Sequence, residues 1–110
     1  MIKQAIISAG GFGTRLKPFT DTFPKPMVSI AGKPLLLWHV EQFRKHGVSD
    51  FFFTLHHFPE VIQNFFGDGS RYSVRINYFF EQDPLGSAGG IKHFEPDLDN
   101  LFYFIYGDTF

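Results

Sequence analysis

Residues 101–106 read Leu-Phe-Tyr-Phe-Ile-Tyr, six apolar side chains with no polar alternation. No other feature of the chain narrows its fold as much. An extended strand whose neighbouring residues are all apolar needs cover on both faces, and a parallel sheet with helices packed above and below supplies it. Ala5-Ile6-Ile7 and Phe51-Phe52-Phe53 are shorter runs of the same kind. Residues 73–80 differ, because Val74, Ile76, Tyr78 and Phe80 alternate with Ser73, Arg75 and Asn77, the period of a strand with unlike faces.

Helical spacing separates these strands. Pro34 suits a first helical turn, and Leu36, Val40 and Phe43 follow on one side, with Glu41 and Lys45 four apart outside and Gly47 as the stop. Pro59 opens a second helix with Val61, Ile62, Phe65 and Phe66 facing inward, ended by Gly67. A third short helix follows Leu85-Gly86-Ser87-Ala88-Gly89-Gly90. The order β-α-β-α-β-α-β predicts an α/β fold, a three-layer α/β/α Rossmann-like sandwich with a mostly parallel sheet. The last strand reads as interior, yet only four residues follow it. The sequence is therefore expected to be truncated after the fourth strand, with an open edge that invites self-association.

With 110 residues the chain suffices for one compact domain, and 44% hydrophobic content with sixteen phenylalanines predicts an aromatic-rich core. Ten basic residues against eleven acidic ones are interspersed, for a net charge of −1. No basic face stands out, so a nucleic-acid partner is not expected. The absence of cysteine rules out disulfides and thiolate metal sites and suits a reducing cytoplasm, where the protein is expected. The apolar start, broken by Gly10 and Gly11, is too brief for a signal peptide or a membrane span.

Ligands of open α/β sheets bind beyond the carboxyl ends of the strands. Three segments follow strands here: the loop Gly10-Gly11-Phe12-Gly13-Thr14-Arg15-Leu16, residues 81–90, and Gly107-Asp108. The first loop fits neither common phosphate signature. Leu16 stands where the dinucleotide pattern requires a third glycine, and no Gly-Lys-Ser/Thr of a P-loop is present. A strand followed by glycines can still form a nest of backbone N–H groups around an anion, with Arg15 as a charged fork; an ordinary tight turn is the other reading. Pro24 and Pro26 flank Lys25 and stiffen its backbone, which suits an ammonium held against reacting phosphate, although most loop lysines are simply solvated. His56 and His57 are neighbours on an extended segment and point opposite ways, so they are poor joint metal ligands and read as strand-end or loop residues. Trp38 reads as core.

Taken in order, Gly-Gly-x-Gly-Thr-Arg-Leu from Gly10, Pro-Phe-Thr from Pro18, Pro-Lys-Pro-Met from Pro24, Ile30-Ala31-Gly32-Lys33-Pro34-Leu35, Glu81 with Pro84-Leu85-Gly86-Ser87-Ala88-Gly89-Gly90, and Gly107-Asp108 resemble the sugar-1-phosphate nucleotidylyltransferases. The resemblance spans the whole chain and implies transfer of a nucleotidyl group from an NTP to a sugar 1-phosphate, giving an NDP-sugar and pyrophosphate. It further implies that Ala9, Gly10, Gly11, Gly13, Thr14 and Arg15 lie against the nucleotide and that Arg15 and Lys25 act on the reacting phosphates. By the same resemblance Glu81, Gly86 and Ser87 hold the base and ribose, and Asp108 ligates Mg²⁺. Residues 1–110 would form the nucleotide-binding half of the domain, without the sugar-binding half.

The resemblance puts Glu81 where the family reads the base. A carboxylate accepts hydrogen bonds only, which complements the N1–H and N2–H₂ of guanine and favours a mannose- or heptose-1-phosphate guanylyltransferase-like enzyme. The run Gly67-Asp68-Gly69-Ser70-Arg71-Tyr72 with Ala88-Gly89-Gly90-Ile91 is also similar to muramic-acid-type uridylyltransferases, so GTP and UTP both stay open. A rival reading is a non-catalytic fragment that binds nucleotide or self-associates. The expectation for the 110-residue chain alone is no Mg²⁺-dependent pyrophosphate release from an NTP and a sugar 1-phosphate, and an assay that detects such release overturns it.

Overall fold

The computed structural model describes residues 2–9, 25–56, 58–81 and 87–107. In chain order its elements are β1 (Gln4–Ser8), β2 (Ser29–Ile30), β3 (Lys33–Pro34), α1 (Leu35–Lys45), β4 (Asp50–Leu55), α2 (Pro59–Phe66), β5 (Arg75–Phe80), α3 (Ser87–Phe94) and β6 (Tyr103–Tyr106). Short 3₁₀ turns at Lys25–Met27, Ser70–Tyr72 and Glu95–Asp97 punctuate them.

Four strands form one sheet in the order β5-β4-β1-β6, with every pairing parallel. The chain builds outward from β1 to β4 to β5, then returns past them to lay β6 on the other side of β1. The order therefore reverses between β1 and β6, the switch point at which open α/β sheets form their ligand crevice.

Strand alternation divides the apolar residues between two layers. Ala5, Ile7, Phe51, Phe53, Leu55 and Ile76 face α1 and α2, where they meet Leu36, Val40, Ile62 and Phe66. Ile6 and Phe52 face the other way, against Phe94 of α3, with Ile91, Phe79 and Phe104 packed around them. The run Phe51-Phe52-Phe53 thus serves two cores: Phe53 meets Phe66 edge-on at 5.4 Å on one side, and Phe52 meets Phe94 at 4.9 Å on the other. Burying each of these rings contributes roughly 1.5–3 kcal/mol. The expected three-layer, mostly parallel arrangement is what the chain forms.

Three local features depart from the sequence reading. β6, expected to be buried on both faces and open at its far edge, has that open edge among the described residues but only partial cover: Ile105 and Phe104 pack half-buried against the two layers, while Tyr103 and Tyr106 are exposed. An apolar run reports what a strand needs, not which neighbours it has. Trp38, expected in the core, is 39% exposed. Its indole Nε1–H donates to the Ile30 carbonyl at 2.7 Å, and the Lys33 ammonium sits 4.1 Å from the ring centroid. These contacts bind α1 to a hairpin that the sequence reading missed, β2–β3, whose turn residues Ala31 and Gly32 both have positive φ, as a type I′ turn requires. The strand expected over residues 73–80 starts only at Arg75, because Ser73 at φ 62° belongs to the preceding turn.

Gln4 ties the amino end of β1 to the α3–β6 connection. It is 6% exposed, its Nε2 donates to the Asp97 carbonyl at 2.9 Å, and its Oε1 accepts from the Asp99 N–H at 2.6 Å. Gln4→Ala removes both bonds and leaves two backbone groups unpaired, so it is expected to cost about 1–3 kcal/mol in urea unfolding. A loss within error of zero would show that the clamp is dispensable.

Candidate functional site

Parallel strands in register end together, and here their ends are bonded into a row. The Ala9 N–H donates to the Thr54 carbonyl at 2.9 Å, the Gly107 N–H to the Ser8 carbonyl at 2.8 Å, and the Glu81 N–H to the Leu55 carbonyl at 2.6 Å. Ala9, His56, Glu81 and Gly107 therefore line one carboxyl edge. Gly107 lets β6 close on β1 there: a Cβ at this position would lie 3.0 Å from Ile7 Cγ2 and 3.3 Å from the Ser8 carbonyl oxygen.

The α3 side of this edge is polar. Ser8, Thr54 and Glu81 each follow Ile6, Phe52 or Phe79 by two residues along the strand, so alternation puts them on the α3 face, and His56 follows Thr54 likewise. Phenylalanine and isoleucine fill the middle of the sheet, and hydroxyl, imidazole and carboxyl groups take over at its end. Two of these groups are buried without a hydrogen-bond partner among the described residues, Thr54 Oγ1 and Glu81 Oε1. Glu81 is only 7% exposed. Burial pushes its carboxyl above the ordinary range, and the nearby His56 imidazole opposes part of that rise. His56 Nδ1 lies 2.6 Å from the Glu81 carbonyl oxygen. A carbonyl can only accept, so Nδ1 carries the proton.

Among the residues expected at the site, Ala9 is buried at the end of β1, and Glu81 occupies the same edge two strands away. Lys25 starts the 3₁₀ turn Lys25–Met27, which Pro26 and Met27 bury against α1, and Ser87 starts α3. The Lys25 and Ser87 side chains, like Gly10, Gly11, Gly13, Thr14, Arg15, Gly86 and Asp108, lie outside the described residues. His56 is the contact that sequence reasoning missed. Its place one residue past the end of β4, in step with Phe52 and Thr54, was the available signal.

Open cavities of about 570 Å³ beside Ile2, Leu98 and Leu101 and about 470 Å³ beside Ser49, Asp50 and Arg75 lie at the opposite, amino end of the sheet. No cluster of three or more His, Asp or Glu side chains among the described residues could hold a metal, and no helix among them is long and apolar enough to cross a membrane.

A family profile described as "Nucleotidyl transferase" matches residues 4–108. The UTP–glucose-1-phosphate uridylyltransferase of Synechocystis sp. is 39% identical over 96% of this chain and 30% of its own. The D-glycero-alpha-D-manno-heptose 1-phosphate guanylyltransferase of Campylobacter jejuni is also 39% identical, over 97% of this chain and 48% of its own. The crystal structure of HddC from Yersinia pseudotuberculosis complexed with GMP-PN superposes with a TM-score of 0.80 at 32% identity, over 97% of this chain and 48% of that one. The chain spans less than half the length of each of these relatives.

The folded protein holds the Glu81 proton more tightly than the unfolded chain does, so stability falls as pH rises from the ordinary carboxylate range through the raised value. Glu81→Gln is expected to raise the melting temperature at neutral pH, with the gain disappearing near pH ~3, where both states are protonated. A gain independent of pH, or none, would show that the buried charge is not its source.

Proposed function

The chain belongs to the nucleotidyl transferase family, among the sugar-1-phosphate nucleotidylyltransferases, and from that premise we propose that it is the nucleotide-binding part of an enzyme that makes an NDP-sugar. A phosphate oxygen of the sugar 1-phosphate attacks the α-phosphorus of an NTP in line. The new P–O bond forms as the bond to pyrophosphate breaks, and no covalent enzyme intermediate is needed. Catalysis of this kind is positioning and charge stabilisation.

In this reading the backbone from Ala9 through Gly10, Gly11, Gly13 and Thr14 cradles the triphosphate, continuing from the switch-point end of β1. Arg15 holds the departing pyrophosphate, and Lys25 offsets charge on the reacting phosphates. Glu81, Gly86 and Ser87 hold base and ribose. The close approach at Gly107 brings β6 against β1 one residue before Asp108, which fits a carboxylate ligand for a hard cation beside the phosphates. Mg²⁺ bound there would neutralise phosphate charge; Asp108 would hold and orient it.

One observation carries the choice of base: Glu81, buried at the carboxyl edge with Oε1 unpartnered among the described residues. When ionised, that carboxylate only accepts hydrogen bonds and complements the paired donors of guanine, and GTP is the proposed nucleotide. The uridylyltransferase among the relatives supports UTP as the second reading.

Calorimetric titration of the chain with GTP, UTP, dTTP and CTP in Mg²⁺ tests the proposal. GTP is expected to bind most tightly, and Arg15→Ala to weaken it by roughly 10–100-fold, the loss of a charge-assisted hydrogen bond. The cradle assignment fails if no NTP binds or if Arg15→Ala changes nothing; tighter UTP binding transfers the base choice to the second reading.

A further inference from the structure

Glu81 is held by its main chain rather than by its side chain. Its N–H donates to the Leu55 carbonyl at 2.6 Å and its carbonyl accepts from His56 Nδ1–H at 2.6 Å, two holds from consecutive residues at the end of β4. The carboxyl oxygen Oε1 has no partner among the described residues although the residue is buried. The register of β4 with β5 ends at Leu55 and Phe80, so the second hold comes from a side chain placed just where the regular ladder stops. An acceptor kept free of internal bonds, on a residue held at both its N–H and its carbonyl, is pre-organised for a donor that arrives with a ligand.

Resting on the nucleotide reading above, we propose that His56 is a positioning residue for base selection: its Nδ1–H clamps the Glu81 carbonyl and thereby fixes where the Glu81 carboxyl meets the base. His56 acts through Glu81 and need not touch the nucleotide. Alternation puts both side chains on the α3 face of the sheet, together with Thr54, whose fully buried Oγ1 is the other polar atom there without a partner among the described residues. A histidine that merely closed off a strand end would support the fold alike whichever base was bound. A clamp on the reading group affects most the base that depends on that group.

The experiment measures dissociation constants for GTP and UTP on the 110-residue wild type, His56→Leu, His56→Asn and Glu81→Gln, with melting temperatures alongside. His56→Leu is expected to weaken GTP about tenfold, the worth of one hydrogen bond near 1.4 kcal/mol, and to leave UTP nearly unchanged, so that the ratio collapses. His56→Asn keeps an N–H donor near the Nδ1 position and is expected to restore the ratio. Equal weakening of both nucleotides by His56→Leu, or a ratio unmoved by it while Glu81→Gln shifts that ratio, overturns the inference and leaves the nucleotide reading intact. A wild type that binds neither nucleotide overturns both. Should His56→Leu fail to fold, the ring ¹⁵N resonances of wild-type His56 decide: GTP must shift Nδ1 more than UTP does, and equal shifts overturn the inference.

Discussion

The pairing of β1 on both of its edges is the constraint on which the rest of this structure depends. Ala5, Ile6 and Ile7 are completely buried, and residues 5–8 of the strand pair with β4 on one side and β6 on the other. Because the chain reaches those two neighbours by opposite routes, connections diverge at the carboxyl end of β1, the place where open α/β sheets bind their ligands. Register then places Ala9, His56, Glu81 and Gly107 along one line. The site is thus a by-product of how a central strand is satisfied, and the chemistry comes from what occupies the strand ends.

Those strand ends trade stability for availability. A fully satisfied sheet would place an apolar residue at position 81, or pair its carboxyl internally. Burying Glu81 with an unpartnered oxygen disfavours its charged form. That arrangement is reasonable where a ligand brings the missing donors, and it separates Glu81 from the well-partnered Gln4 at the other end of the same sheet.

Much of this was legible in the sequence, and the failures have physical causes. Parallel strands announced themselves because two-sided burial removes polar alternation, and helix limits followed from Pro34, Pro59 and Gly67, whose backbone preferences act locally. The role of Trp38 and the incomplete cover of β6 were not legible. Both depend on what packs alongside, and an aromatic side chain serves equally well in a core or, as Trp38 does, over a lysine with its N–H on a carbonyl. The β2–β3 hairpin escaped because two-residue strands carry no period, although Ala31-Gly32 is a turn sequence. At the site, the family resemblance picked out Glu81, but the grip of His56 on its carbonyl joins residues 25 apart and exists only once β4 and β5 are aligned.

The Gln4 clamp bears on the order in which the molecule assembles. Its two bonds join positions 93 and 95 residues apart, and the β1–β6 pairing spans a similar distance. As the chain leaves the ribosome, β1, β4 and β5 can pair while one edge of β1 waits for β6, made later. High contact order of this kind slows folding and leaves an apolar edge open in the interval. The row of strand ends that carries Ala9, His56, Glu81 and Gly107 is incomplete until β6 docks, so a nascent chain would acquire that edge in one late step rather than strand by strand.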